Sequence, residues 1–268
     1  MKRKGETGSF AGVREVADQA LGVGDYASRS AALSLKKRGY PAETATLVQD
    51  LFGVLDRNWT LAIQSDRRSS SNENFRWHCP QFKIADRNKS PEVTLERAFV
   101  CALRDAGRKD WSNQIPLISG IAGPHAFKKC AVDLVHRKGE SSFELIELKI
   151  NSDTPVHAAV EILVYGLLWL LSRRDRQALG YAAGPILAAR ELALSVLAPR
   201  SYYIRYSVEP LASFINEGLV KLGEQHGVTM GFGFTAFPAS FTWPRGSGEP
   251  PKPSDKELIA LLDAREAV

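Results

Sequence analysis

Residues 130–152, CAVDLVHRKGESSFELIELKINS, decide how the rest of the chain is read. Two short apolar runs, 131–136 and 143–150, flank a polar turn that contains Gly139. Val, Ile, Leu and Phe recurring on either side of a Gly-containing loop predict an antiparallel hairpin. Successive side chains of a strand point to opposite faces, so Leu145, Glu147 and Lys149 share one face and Ile146, Leu148 and Ile150 the other. Asp133 stands inside the first run, between Val132 and Leu134. A carboxylate with apolar neighbours on an inner strand is costly unless a cation or a metal compensates it. Two carboxylates and a lysine on neighbouring strands are the materials of a divalent-metal site beside a general base or charge stabiliser.

A helix is expected on each side of the hairpin. Upstream, Ser90-Pro91-Glu92 supplies an N-cap, a first-turn proline and an acid, and Leu95, Phe99, Ala102 and Leu103 follow as an apolar stripe. Glu92 and Glu96 lie one turn apart on one face of it. Downstream, Thr154-Pro155 opens a helix to about residue 172 by the same signals. His157, Glu161 and Tyr165 recur on one stripe, while Ile162, Leu163, Leu167, Leu170 and Leu171 supply bulk elsewhere. A polar stripe on an otherwise apolar helix predicts that the helix lines a cleft.

This constellation resembles the PD-(D/E)XK nuclease superfamily, the restriction-endonuclease-like fold. The matching residues are Asp133 and, fourteen residues later, Glu147-Leu148-Lys149, between a helix carrying Glu96 and one carrying Glu161 and Tyr165. Val132 stands where the motif's name has proline, and the resemblance covers roughly residues 90–200. Glu161-x-x-x-Tyr165 is similar to the Gln-x-x-x-Tyr motif of the recombination-exonuclease branch, with glutamate in place of glutamine. The resemblance implies an α/β fold with a restriction-endonuclease-like core, a central mixed sheet flanked by helices, and N-terminal helical and C-terminal α/β additions. It implies three segments: a helical region with a basic and aromatic stretch (1–89), the nuclease-like core (90–210), and an α/β extension packed on that core (211–268). It further implies a Mg²⁺- or Mn²⁺-dependent endonuclease or exonuclease acting on DNA. Asp133, Glu147, the Leu148 backbone carbonyl and Glu96 would hold the metal. Lys149 would orient or deprotonate water, or offset charge on the phosphate. His157, Glu161 and Tyr165 would line the cleft.

Charge agrees with a polyanionic substrate. The chain of 268 residues has a net charge of +5. Between residues 61 and 138 there are 14 Lys and Arg against 8 Asp and Glu, a balance of +6 that covers the whole surplus. Arg67, Arg68, Lys128 and Lys129 are the candidate phosphate contacts. The three cysteines, Cys79, Cys101 and Cys130, have no paired spacing. They predict neither a zinc site nor a disulfide framework, and point to a reducing, cytoplasmic setting. The N-terminus lacks the apolar run of a secretory signal, and the apolar run 158–171 is short and interrupted by Glu161, so no membrane association is expected. No Gly-rich phosphate loop with its lysine, no GxSxG and no HExxH occurs.

Elsewhere the pattern predicts helices over 13–21, 29–37 and 41–56, with Leu47, Leu51 and Leu55 facing a core. Trp77 and Phe82, among basic residues, read either as a base-stacking surface or as a strand capping a core. Strands are expected over 114–121, 191–198 and 228–237, and a strand or aromatic edge over 202–206. Gly231 and Gly233 are read as points of close approach. Helices over 211–225 and 255–266 complete the chain. His125, near the hairpin in sequence, is a minor candidate for a phosphate contact. The alternative to a nuclease is a catalytically inactive nucleic-acid-binding or assembly protein on the same fold; under either reading a homodimer or a larger protein assembly is a candidate state.

Overall fold

The computed structural model describes residues 10–64, 74–78, 80–84, 90–117, 130–181, 184–244 and 251–268. Arg67, Arg68, Lys128, Lys129, His125 and Cys79 lie outside the described residues.

The described chain forms a central six-stranded mixed sheet with N-terminal helices before it and further α/β elements after it. Three helices come first: α1 (Val13–Leu21), α2 (Arg29–Arg38) and α3 (Leu47–Gln64), the last preceded by a 3₁₀ turn, Ala42–Thr46. Next come α4 (Pro91–Asp105), β1 (Trp111–Pro116), β2 (Ala131–Arg137), β3 (Ser142–Leu148) and α5 (Pro155–Arg174). Short helices α6 (Arg176–Leu179) and α7 (Pro185–Ala188) lead to β4 (Glu191–Pro199), the single turn α8 (Arg200–Tyr203), α9 (Glu209–His226) and β5 (Thr229–Phe237). The chain closes with α10 (Asp255–Asp263) and β6 (Glu266–Ala267). Strand order follows chain order from β1 to β6. The pairs β1–β2, β2–β3 and β5–β6 are antiparallel; β3–β4 and β4–β5 are parallel.

Two apolar layers sandwich the sheet. Helix α5 packs on β3 and β4, α9 on β5, and α3 bridges α5 and α9, with Leu47, Leu51, Leu55 and Trp59 all buried there. The smaller layer joins α4 and α10 through Leu95, Phe99, Leu258 and Leu262 to Ile146, Leu148 and Phe237 of the sheet. Helix α5 is long and apolar enough to cross a membrane, longer than the run read from the sequence. Within this fold 89% of its apolar window is buried against protein. Its Gly166 sets the approach to β4, because a Cβ there would lie 2.5 Å from Leu194 Cδ1.

Several sequence expectations need correction. The helix expected over 41–56 begins as a 3₁₀ turn and runs to Gln64, held at its far end by the Trp59 indole N–H, which donates to Asp175 Oδ2 at 2.9 Å. Ser90 does not cap α4; its hydroxyl donates to Glu92 Oε2 at 2.9 Å. The first strand starts at Trp111, three residues early, in a polar stretch that gave no strand signal. Residues 202–206 are not a strand: Tyr203 sits in α8, and its buried hydroxyl donates to the carbonyls of Val196 and Thr235. Neither glycine of β5 marks a close approach, since a Cβ on Gly233 would meet nothing within 4 Å and one on Gly231 only Asn216 at 3.5 Å. The segment around Trp77 and Phe82 is not a strand either, although both rings pack on the protein, Trp77 edge-on to Phe143 at 5.2 Å.

The end of the chain is fastened to the hairpin by a buried carboxylate. Glu144 on β3 accepts from the Ser195 hydroxyl at 2.8 Å and pairs with Lys138 at 3.3 Å and Arg265 at 3.4 Å. Burial resists its ionisation, yet His136, Arg265, Lys138 and Ser195 together hold its pKa down at about 2. A carboxylate lowered on folding stabilises fully above its unfolded value and loses that contribution as pH falls toward the folded one. Glu144→Gln is therefore expected to cost about 3 kcal/mol near neutral pH. In thermal melts, the parent–variant difference should close as pH drops from about 5 toward 2. A difference that ignores pH would mean that packing, not charge, is what Glu144 supplies.

Candidate functional site

The site forms where the β2–β3 ladder ends. Regular pairing stops at Leu134–Ile146, and one step further the register brings Asp133 opposite Glu147. There the Asp133 side chain replaces the ladder, its Oδ2 accepting from the Leu148 N–H at 3.0 Å. Lys149 follows directly, its N–H still bonded to the Leu197 carbonyl, so its side chain is fixed at the base of the strand. The Lys149 ammonium lies 2.8 Å from Glu147 Oε1, 3.1 Å from Glu161 Oε2 and 3.5 Å from Asp153 Oδ2. Glu161 arrives from α5, whose start is set by Thr154, with its side chain accepting from the His157 N–H at 3.2 Å. Glu161 Oε1 in turn accepts from the Tyr165 hydroxyl at 3.1 Å.

Glu96 comes from α4 and is 2% exposed. It pairs with Arg97 and accepts from Asn113 Nδ2 at 2.6 Å and Gln114 Nε2 at 3.1 Å. Gln114 is level with Asp133 in the β1–β2 register and carries a φ of +51°. A left-handed glutamine inside a strand costs on the order of 1 kcal/mol or more. That twist interrupts the β1–β2 pairing at Gln114, where its side chain turns to Glu96, while the strand runs on to Pro116.

Burial and mutual repulsion govern the electrostatics. Burial pushes Asp133 up to about 6, against the pull of the Leu148 N–H and the Lys149 ammonium. Burial, and then the Asp133 charge, pushes Glu96 up to about 7. Glu147 rises well above the carboxylate range, through burial and then the charges of Asp133 and Glu161. Glu161 shifts the other way: burial opposes its ionisation, but Lys149 and His157 overcome it. Burial alone would drive Lys149 toward neutrality; Glu147, Glu161 and Asp133 outweigh it and keep the ammonium charged. The result is an oxygen-rich cluster in which acids outnumber the buried cation. Among the described residues, no three His, Cys, Asp or Glu side chains are placed so as to enclose a metal ion.

The residues read from the sequence are thus brought together: Asp133, Glu147, Lys149 and Glu161 in contact, and Glu96 close enough to feel the Asp133 charge. His157, Glu161 and Tyr165 line one cleft of about 260 Å³, whose opposite wall carries Phe10, Val13 and Tyr26 from the N-terminal segment. Sequence reasoning did not give those first residues a place at the site. It also missed Asn113 and Gln114, which hold Glu96, and Asp153, which pairs with Lys149. Glu92, one turn from Glu96, is a clamp: its Oε1 accepts from the backbone N–H groups of Ile150, Asn151 and Ser152 at 3.2–3.3 Å. Its own backbone N–H, the Ser90 hydroxyl and the N–H groups of Asn151 and Ile150 outweigh burial and hold its carboxyl at about 2. The sequence carried a signal for it, an acid in the first turn of a helix opened by Ser90-Pro91, but none for its target.

Comparison with protein-family models, with curated proteins and with solved structures returns no match.

Proposed function

We propose that the chain is a divalent-metal-dependent nuclease that hydrolyses phosphodiester bonds of DNA, on a restriction-endonuclease-like core. The observation that carries this reading is the contact set of Asp133, Glu147, Lys149 and Glu161 at the broken end of a ladder, with Glu96 beside it. Hard carboxylate oxygens in excess over one ammonium are the donor chemistry that Mg²⁺ and Mn²⁺ take. Asp133 and Glu147 would hold the ion with the Leu148 carbonyl, and Glu96, which is not grouped with them around one point, would act through a bound water. The ion, when bound, polarises the phosphoryl oxygen and lowers the pKa of its water.

The chain's own residues supply the rest. The Leu148 N–H fixes one Asp133 oxygen. Lys149 stays protonated, so it serves best as a charge stabiliser on the phosphate and an orienter of water; as placed, it is a poor base. Glu161 holds that ammonium from the cleft side, and the Tyr165 hydroxyl donates to Glu161. The same reading places the protein in the cytoplasm, where thiols such as Cys101 and Cys130 stay free.

A second reading, the same fold binding nucleic acid without cutting it, is favoured by the Lys149 ammonium lying between Glu147 and Glu161. Incubation of supercoiled DNA with the protein in Mg²⁺, in Mn²⁺ and in EDTA separates the two. The nuclease reading expects nicking that needs metal, and DNA affinity that falls steeply with salt. Salt-sensitive binding with no cut in duplex DNA, single-stranded DNA or RNA selects the second reading, and salt-independent binding removes both.

A further inference from the structure

We infer that the cleft between α1 and α5 receives one unstacked nucleobase of the strand being cut, an inference that rests on the nuclease reading. The cleft's walls are rings and branched aliphatics. Phe10 and Tyr26 face α5, and the Tyr26 ring stacks on His157 with centroids 5.8 Å apart and planes 29° from parallel. Its volume, about 260 Å³, is below the roughly 300–1,000 Å³ of pockets that hold drug-sized ligands, which leaves space for a single ring system.

The polar end of the cleft decides the ligand's charge. It consists of Glu161, the Tyr165 hydroxyl and Cys130, whose thiol burial pushes up to about 11 and so keeps neutral. A carboxylate at the end of an apolar slot repels a phosphate and accepts from N–H groups, and every nucleobase presents at least one. The flat faces of a base suit the aromatic wall whatever its identity.

Position ties the cleft to the reaction. Glu161 lines the cleft and also pairs with Lys149, which pairs with Glu147. A phosphate held at the acid cluster therefore carries its own base to the cleft mouth. Filling the cleft requires that base to leave its stack, which costs least in single strands, frayed ends and damaged or mismatched positions. The substrate class is DNA with an unpaired nucleotide at the cut.

The test uses single-stranded oligodeoxynucleotides with one 2-aminopurine, moved along the sequence, bound to Glu147→Gln protein in Mn²⁺ so that the strand stays whole. Fluorescence is expected to change at one register only. Tyr26→Ala, and Val164→Phe, which fills the cleft from α5, should each weaken binding on the order of 10-fold. Because Tyr26 is buried and its loss disturbs packing, an abasic site at the same register provides a control that needs no protein variant. It should slow cutting by the parent about as much. Cutting by the parent that ignores the abasic site at every position, with 2-aminopurine silent, overturns the cleft and leaves the nuclease reading in place. A 2-aminopurine response without cutting keeps the cleft and removes the nuclease reading. Neither signal removes both.

Discussion

Glu147→Gln is expected to lower metal-dependent nicking of supercoiled DNA on the order of 10³-fold or more, while the metal-free protein melts at the same or a higher temperature. The two halves of this expectation have one cause. Glu147 is pressed by burial and by the charges of Asp133 and Glu161, so at neutral pH its ionisation burdens the folded state. An amide of the same shape removes that burden. It also removes an anionic oxygen from the donors that a divalent ion would use. Asp133→Asn should behave alike, because its side-chain oxygen still accepts from the Leu148 N–H. A structural ion pair predicts the reverse pattern, with activity absent from the start and melting temperature lowered. If the variant cuts as the parent does, Glu147 holds no catalytic ion.

Lys149→Met should give the largest stability effect. The ammonium is the cation shared by Glu147, Glu161 and Asp153; it is buried with Glu147, while Glu161 is half-buried and Asp153 exposed. Breaking a buried pair by removing one partner costs about 3–5 kcal/mol. For a chain of this size that corresponds to a melting temperature lower by roughly 10 °C in EDTA. Two controls tie the loss to charge. It should shrink as pH falls through about 6, where Asp133 begins to take a proton and the stranded acids become neutral. It should also shrink on addition of Mn²⁺, since a divalent ion replaces the missing positive charge. A loss unaffected by either would assign Lys149 to packing alone. Cleavage should fall on the order of 10²-fold or more, even where the metal has restored stability.

The hairpin and its two flanking helices were legible because their signals are local. Apolar runs around Gly139, and Ser90-Pro91 and Thr154-Pro155 at helix starts, need no knowledge of distant residues. Asp133 could be singled out as an acid in an apolar run, although the reason it is tolerated, a bond to the Leu148 N–H, depends on where the ladder stops. Gln114 and Asn113 were not legible: their roles depend on a φ of +51° and on contact with a helix 17 or 18 residues earlier in sequence. Phe10 and Tyr26 were invisible for the same reason, since an aromatic in an N-terminal helical region gives no sign of which cleft it will line. The C-terminal third offered no chemical signal in the sequence, yet Arg265 reaches the buried Glu144, a contact 121 residues long in sequence.

The consecutive strand order has a consequence for how the molecule meets its own copies. Such a sheet has two free borders, and an open border is a template for pairing with another chain. At one border, the Phe75 N–H donates to the Pro116 carbonyl at 2.8 Å, Gln81 exchanges two bonds with the Asn113 side chain, and Gln114 interrupts the β1–β2 pairing. At the other, β6 is two residues long and ends the ladder almost as soon as it begins. Among the described residues, β6 pairs with only Thr235 and Ala236 of β5, and further along β5 the Asn216 side chain takes up the Phe232 N–H and carbonyl. Concentrated solutions should therefore resist cross-β association through these two borders.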